Sequence, residues 1–263
     1  MSFISYREIG KDPMYKIWHS TGLNVIIYIH SDGGNIVFED CIYPMKKGAL
    51  CFIGAKKIHY TMPDDPQIYT RSKIFLTSEE HLDLVHFFSG KSSFCNYFSE
   101  DRAVYAHLPE EMQKNAEQLI TEINNSQKSK YSDTKLLCNY MTLLTYIDMY
   151  SSEKQQISAG FAHEALNFIN RSISENISID DICSHLHMSK YHFCRKFKSI
   201  TGITVMDYIL KTRIAMAQKM LSSTTMSVGE ISEKCGFSGI SYFCRIFKEQ
   251  TGKTPLKYRK TER

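Results

Sequence analysis

Nothing in this 263-residue sequence approaches a membrane span. Apolar runs such as Val25-Ile26-Ile27-Tyr28-Ile29 fall far short of the roughly 20 residues that a bilayer requires. The opening, MSFISYREIGKDP, lacks the charged start, apolar stretch and small-residue cleavage site of a secretory leader. A cytoplasmic protein with no membrane partner is expected. The eight cysteines (Cys41, Cys51, Cys95, Cys138, Cys183, Cys194, Cys235 and Cys244) include no Cys-x-x-Cys pair, which argues against zinc fingers and for free, mostly buried thiols. There is no glycine-rich phosphate loop, since Gly33-Gly34 reads as a turn. There is no Gly-x-Ser-x-Gly nucleophile elbow. His19, His30 and His59 are scattered rather than closely paired, so no metal, cofactor or catalytic residue is assigned.

What is present is asymmetric. Residues 1–160 carry 16 Lys+Arg against 19 Asp+Glu, whereas residues 161–263 carry 16 against 9. A basic C-terminal third beside a slightly acidic remainder points towards a polyanionic partner at one end.

The N-terminal part reads as strands. Short apolar runs, LNVIIYI, NIVFEDCIY, ALCFIGA and QIYTRSKIFL, are separated by Asp32-Gly33-Gly34, by Pro44 to Gly48 and by Pro63-Asp64-Asp65-Pro66. Asp-Gly between apolar runs predicts a hairpin, and several strands at this spacing predict a small barrel or sandwich. From about 106 the period becomes helical. Met112, Ala116, Leu119, Ile120 and Ile123 form one stripe, with Pro109 suited to the first turn. After a polar loop at 124–133, Leu136, Leu137, Tyr140, Leu143, Leu144 and Ile147 form another. These two faces can pack on the strands, form a dimer interface, or both. The stretch 151–160, SSEKQQISAG, reads as a linker.

The last hundred residues contain a duplication. Shifted by 50, Phe193-Cys194-Arg195-Lys196-Phe197-Lys198 lies over Phe243-Cys244-Arg245-Ile246-Phe247-Lys248. Thr201-Gly202, Thr204 and Tyr208 lie over Thr251-Gly252, Thr254 and Tyr258. A one-residue gap near Gly239 carries the register back to Ile179, Asp181 and Ile182 over Val228, Glu230 and Ile231. Each copy has the anatomy of a helix-turn-helix, at about 178–201 and 227–251. Ser178 and Asp181 form a cap-like pattern before the first copy. His187 and Gly236 stand at matching turn positions, where glycine suits a positive φ. Ser189, and Ser238 or Ser241, are the expected caps of the second helices.

At about 100° per residue, Phe193 and Phe197 point to one side of the second helix while Tyr191, Arg195 and Lys198 point to the other. Ser241, Arg245 and Lys248 repeat that outward face, with Tyr242 and Cys244 beside them. Arginine can make a bidentate contact with guanine, and lysine suits phosphate as a point charge. One such face is ordinary; two copies with the same residues on the same side are not. The segment 207–222 reads as a helix joining the copies. To enter successive major grooves, two reading helices must lie about 34 Å apart.

These residues resemble the AraC/XylS family of bacterial transcription regulators. The string GFSGISYFCRIFKEQTGKTPLKYR, 236–259, has that family's Gly-Phe, Tyr-Phe-x-Arg-x-Phe-Lys, Gly-x-Thr-Pro and Tyr-Arg elements in order. SIDDICSHLHMSKYHFCRKFKSITG and RIAMAQKML fit upstream, so the resemblance covers about 161–263. It implies base-reading roles for Tyr191, Cys194 and Arg195, and for Ile240, Ser241, Tyr242, Cys244 and Arg245. Ser189, Lys190, Lys198, Lys248 and Arg259 are the expected phosphate contacts. The stretch GGNIVFEDCIYPMKKGALCFIGAKKIHYTMP is similar to the cupin-like jelly roll that carries the effector site in many members.

The expected architecture is therefore an α+β multidomain protein. It comprises a cupin-like, effector-sensing barrel at 1–105, a helical dimerisation segment at 106–150, a linker at 151–160 and an all-α double helix-turn-helix DNA-binding domain at 161–263. Trp18, His19, Tyr28, Phe38, Tyr43, Phe52, His59 and Tyr60 are the expected lining of a small-molecule effector pocket. The expected partners are double-stranded DNA, a second copy through 106–150 and, as the resemblance implies, RNA polymerase. Two alternatives stand beside this reading: a metal-dependent cupin enzyme tethered to DNA, and a redox regulator acting through Cys194 and Cys244.

Overall fold

The computed structural model describes residues 4–9, 18–77, 98–125, 132–151 and 161–261, together with Glu79, His81 and Asp83. The chain divides into two compact units, residues 1–38 with 42–157, and residues 158–263 with 39–41. The expected linker lies, apart from Ser151, outside the described residues, as does Cys95.

The first unit contains β1 (Ile4–Ile9), β2 (Asn24–Ile29), β3 (Gly34–Phe38), β4 (Ile42–Pro44), β5 (Ala49–Ile53), β6 (His59–Pro63), β7 (Thr70–Leu76) and β8 (Ala103–His107). They form two open antiparallel sheets rather than one closed barrel. One has the order β1-β7-β2-β5-β8, the other β4-β3-β6. β2 lies between two neighbours, with Val25 opposite Ile53 on one side and Phe75 on the other. All six of its residues are buried, which is why it reads as a continuous apolar run rather than an alternating one.

The turn signals have a different meaning from the one the sequence suggests. Asp32-Gly33-Gly34 does not close a hairpin, because β2 and β3 belong to different sheets. Gly33 and Gly34 both have positive φ, 104° and 102°, and a side chain on Gly34 would collide with the Met62 carbonyl. Two such residues in succession swing the chain from one sheet to the other. The turns from β4 to β5 and from β6 to β7 also cross between sheets. Tyr43 of β4 stacks on Tyr105 of β8 at 5.0 Å, so side chains of the two sheets interlock.

The outer face of the five-stranded sheet is covered by α1 (Glu110–Asn125) and α2 (Ser132–Tyr150). Ala116, Ile120 and Ile123 of α1, with Leu136, Tyr140, Leu143, Leu144 and Ile147 of α2, join Ile26, Tyr28, Leu50 and Phe52 in one core. The apolar faces of both helices are thus buried on their own sheet.

The second unit is helical: α3 (Phe161–Arg171), α4 (Ile179–His185), α5 (Lys190–Thr201), α6 (Val205–Ser223), α7 (Val228–Lys234), α8 (Ile240–Thr251) and α9 (Pro255–Thr261). The pairs α4–α5 and α7–α8 are the two copies. The duplication extends to side-chain geometry. Phe197 meets Tyr208 edge-on at 5.4 Å, and Phe247 meets Tyr258 at 5.4 Å. Thr201 Oγ1 donates to the Phe197 carbonyl at 2.8 Å, as Thr251 Oγ1 does to that of Phe247 at 2.8 Å.

Both opening helices carry a full capping box. Ser178 and Asp181 exchange hydrogen bonds before α4, and Ser227 and Glu230 do so before α7. The reading helices are capped differently from expectation. Ser189 occupies the cap position of α5 without a side-chain bond, and Gly239, not Ser238 or Ser241, occupies that of α8. The loop before α8, 235–239, is one residue longer than that before α5, 186–189, which is where the copies needed their gap.

Candidate nucleic-acid interface

Each reading helix is held by two phenylalanines one turn apart. Phe193 and Phe197 of α5 are buried, as are Phe243 and Phe247 of α8. This spacing turns the opposite face of each helix outward. On α5 that face holds Tyr191, 76% exposed, together with exposed Arg195 and Lys198. On α8 it holds exposed Ser241, Arg245 and Lys248, with Ile240 and Tyr242 as exposed apolar surface. Tyr191, Ile240 and Tyr242 leave large apolar surface exposed at the start of both helices. They suit a partner surface. Cys194 and Cys244 are half-buried at matching positions.

The two faces are not electrostatically equal. On α8, Arg245 Nη1 lies 3.3 Å from Glu249 Oε1, and its guanidinium carbon stands 5.4 Å from the Tyr242 ring centre. Arg245 is therefore flanked by an acid one turn on and an aromatic before it. On α5 the position matching Glu249 is Ser199, and Arg195 has no ion-pair partner among the described residues. A shallow cavity of about 350 Å³ opens there between Tyr191, His192, Arg195, Lys196 and Ser199.

The expected phosphate contacts separate into three kinds. Ser189, Lys198 and Lys248 are exposed at the ends of the reading helices. Lys190 is exposed but lies 3.2 Å from Asp180, so part of its charge is already offset. Arg259 is half-buried, and its guanidinium donates to the Met226 carbonyl, tying α9 to the entry of α7. The sequence motif that marks Arg259 gives no sign of this internal contact.

Of the eight expected pocket residues, two lie in the core beneath the helices. Tyr28 and Phe52 belong to the core under α1 and α2, where the Tyr28 hydroxyl donates to Glu117 at 3.1 Å. Burial, and then the Glu117 charge, raise the Tyr28 phenol above its ordinary range. The other six form a packed aromatic group. Trp18 meets Tyr60 at 5.0 Å, His19 meets His59 at 4.5 Å, and Phe38 lies 5.6 Å from both His59 and Tyr43. A cavity of about 760 Å³ opens elsewhere in this unit. Asp32, Lys47, His107, Glu110, Gln113, Lys114 and Glu117 line it, with Leu108 and Pro109. No apolar or aromatic sequence pattern marks that polar lining.

Two helix-turn-helix units with matched outward cations, on one compact helical body, define the architecture of a helix-turn-helix DNA-binding domain. Residues 182–261 match a family profile described as "Helix-turn-helix domain". The chain is 33% identical to the HTH-type transcriptional activator AarP of Providencia stuartii, over 42% of this chain and 82% of that protein. It is 35% identical to the bifunctional transcriptional activator/DNA repair enzyme AdaA of Bacillus subtilis (strain 168), over 35% of this chain and 44% of that one. The uncharacterized HTH-type transcriptional regulator YfiF of the same organism is 26% identical over 80% of this chain and 76% of its own length. The chain spans less than half the length of AdaA and of several other curated relatives that it matches. It belongs to the AraC/XylS family of DNA-binding transcription regulators.

Proposed function

We propose that this protein regulates transcription by sequence-specific binding of double-stranded DNA, inserting α5 and α8 into successive major grooves. One observation carries the reading: Arg195 with Lys198, and Arg245 with Lys248, stand exposed on matching faces of two helices anchored by matching phenylalanine pairs. Arg195 and Arg245 read bases, with Tyr191, Ile240, Ser241 and Tyr242 supplying apolar and hydroxyl contacts. Cys194 and Cys244 contribute packing rather than strong hydrogen bonds, because a thiol is a weak donor. Lys198 and Lys248, with Ser189 and Lys190, hold phosphates.

The first unit is the sensor in this scheme. Its polar cavity falls within the size range of small-molecule sites, and its mixed acidic and basic walls suit a small hydrophilic effector. Dimerisation would use the outward side of α2, where Met149 is 64% exposed, since the apolar sides of α1 and α2 are occupied by the sheet. Activation, the role in AarP's name, would add a contact with RNA polymerase. Effector control then requires a ligand that binds one arrangement of the protein better than another.

The test is selection of bound fragments from genomic DNA by the full-length protein at physiological salt. The expected result is an enriched motif with two groove segments about one helical turn apart. Salt-sensitive binding with no preferred sequence would overturn the reading.

A further inference from the structure

α6 joins the two helix-turn-helix units along the sequence, and a second connection bypasses it. Arg213, near the middle of α6, reaches back to the segment between α3 and α4. Its Nε donates to the Ile173 carbonyl at 2.9 Å, and its Nη2 donates to the Glu175 carbonyl at 2.6 Å. From the same segment, Ser174 Oγ donates to the carbonyl of Lys234, the last residue of α7, at 2.7 Å. Gly236, in the turn of the second unit, lies against this same group. A Cβ there would stand 2.7 Å from the Ile173 oxygen and 3.0 Å from the guanidinium carbon of Arg213. The segment that leads into the first helix-turn-helix is thus bound both to the connecting helix and to the end of α7 in the second.

We propose that Arg213 is a positioning residue that sets the spacing and phase of α5 and α8 by clasping residues 173–175 against the turn of the second helix-turn-helix. The inference rests on the DNA reading proposed above. A single helix is an incomplete spacer, because helices bend and their end connections rotate. The Arg213 fork closes a second link with two charge-assisted hydrogen bonds, a geometry that lysine cannot reproduce. The broken symmetry of the repeat agrees with this. Where the second turn has Gly236 pressed against Ile173 and Arg213, the first has His187, which is exposed. The Cβ that His187 carries in the first turn has no room at Gly236. Fixed spacing matters because two linked modules reinforce each other only when their separation matches that of their sites.

The test uses the full chain, with Arg213→Gln as the main variant and two readouts. The first needs no DNA. Spin labels introduced by unnatural amino acids at the matching positions Ser199 and Glu249 report the distance between α5 and α8. The clasp predicts a narrow distance distribution in the parent and a broader or shifted one in Arg213→Gln. The second compares a single half-site, the full two-segment site, and that site with about five base pairs, half a helical turn, inserted between its segments. The expected result is about tenfold weaker binding to the full site, little change on the half-site, and a smaller penalty for the insertion than the parent shows. A merely structural role would weaken the half-site and full site alike. A folded Arg213→Gln protein with the parent's distance distribution and the parent's insertion penalty would overturn the proposal. If Arg213→Gln does not fold, Ser174→Ala carries the test, since it removes only a hydroxyl. Broadening there supports the clasp, and a parent-like distribution overturns it. A parent protein with no preferred DNA sequence would overturn the proposed function while the distance arm still decides the clasp.

Discussion

Glu249 should limit how freely the second reading helix binds any DNA. Its carboxylate lies 3.3 Å from Arg245 Nη1, with the two side chains 52% and 62% exposed. Coulomb attraction at that distance in water is worth about 1 kcal/mol, and exposed pairs in proteins deliver about that or less. A bidentate arginine–guanine contact is worth about 1–3 kcal/mol, so a correct base can draw Arg245 away from Glu249. A lone phosphate on non-cognate DNA competes less well, and it also meets the repulsion of the nearby carboxylate. Glu249→Gln removes both restraints. Affinity for random DNA should rise up to about fivefold, the equivalent of 1 kcal/mol. Affinity for the selected site should rise less, so the specificity ratio falls. The salt slope of non-specific binding should steepen by about one unit as Arg245 becomes available to phosphate. Ser199→Glu, the mirror change on α5, should act in the opposite direction. The assay is fluorescence anisotropy with selected and scrambled duplexes across a salt series. If Glu249→Gln raised both affinities equally, and did so equally in an Arg245→Ala background, the carboxylate would be acting as bulk charge and the coupling argument would fail.

Arg195→Ala and Arg245→Ala should each relax base preference at one position within their own half of the site; an unchanged selected motif in both variants would remove the base-reading assignment. Lys198→Ala and Lys248→Ala should weaken binding to all sequences alike and reduce the salt slope by about one unit each, as read from titrations at several salt concentrations. His187→Gly should raise the melting temperature, because His187 has φ 50° and a left-handed conformation costs a side-chain-bearing residue about 1–2 kcal/mol. Gly236→Ala should lower it by more than that cost, since its Cβ would also meet the Ile173 carbonyl; equal and opposite shifts would exclude the contact term. The Asp181 carboxyl is held below its ordinary range by the Ser178 hydroxyl and then the Ser178 backbone N–H, and the Glu230 carboxyl by the Ser227 backbone N–H and then its hydroxyl. Their contribution to stability is therefore present above the usual carboxylate range and is lost as pH falls through the depressed folded values. In Asp181→Asn with Glu230→Gln, denaturant midpoints should fall at neutral pH and converge with the parent in acid.

The second unit was legible in the sequence because its information is local and written twice. A phenylalanine every fourth residue specifies the buried side of a reading helix, and the same spacing fifty residues on removes coincidence. Capping boxes are legible for the same reason, since Ser178 with Asp181 and Ser227 with Glu230 span one turn. The helical stripes of α1 and α2 were readable, but not what they cover, because a stripe does not name its partner. The first unit was harder. Turn chemistry marks where a chain changes direction but not which strand it joins next. The Asp32-Gly33-Gly34 turn was correctly placed and therefore implied a hairpin, where the chain instead passes between two sheets. β1 and β8, each placed by strands distant in sequence, carried no usable pattern of their own.

The positions where local reading failed in the second unit share one cause. Gly236 looks like a turn glycine, Arg213 like an ordinary helix cation, and Arg259 like a phosphate contact at a motif's end. Each is engaged by a backbone carbonyl from a distant segment: Ile173 for the first two and Met226 for the third. A carbonyl leaves no trace in residue identity, because every residue has one. Contacts of this kind are invisible to periodicity and to motif spacing, yet they tie successive parts of the helical body together. The asymmetry between the copies is the one trace they do leave. Copies of one unit can keep the same residue wherever both positions face the same surroundings. A departure such as His187 opposite Gly236, or Ser199 opposite Glu249, marks a position where the surroundings or the task differ. At Gly236 the difference between the copies falls where one segment is joined to another, and at Glu249 it falls beside an exposed arginine.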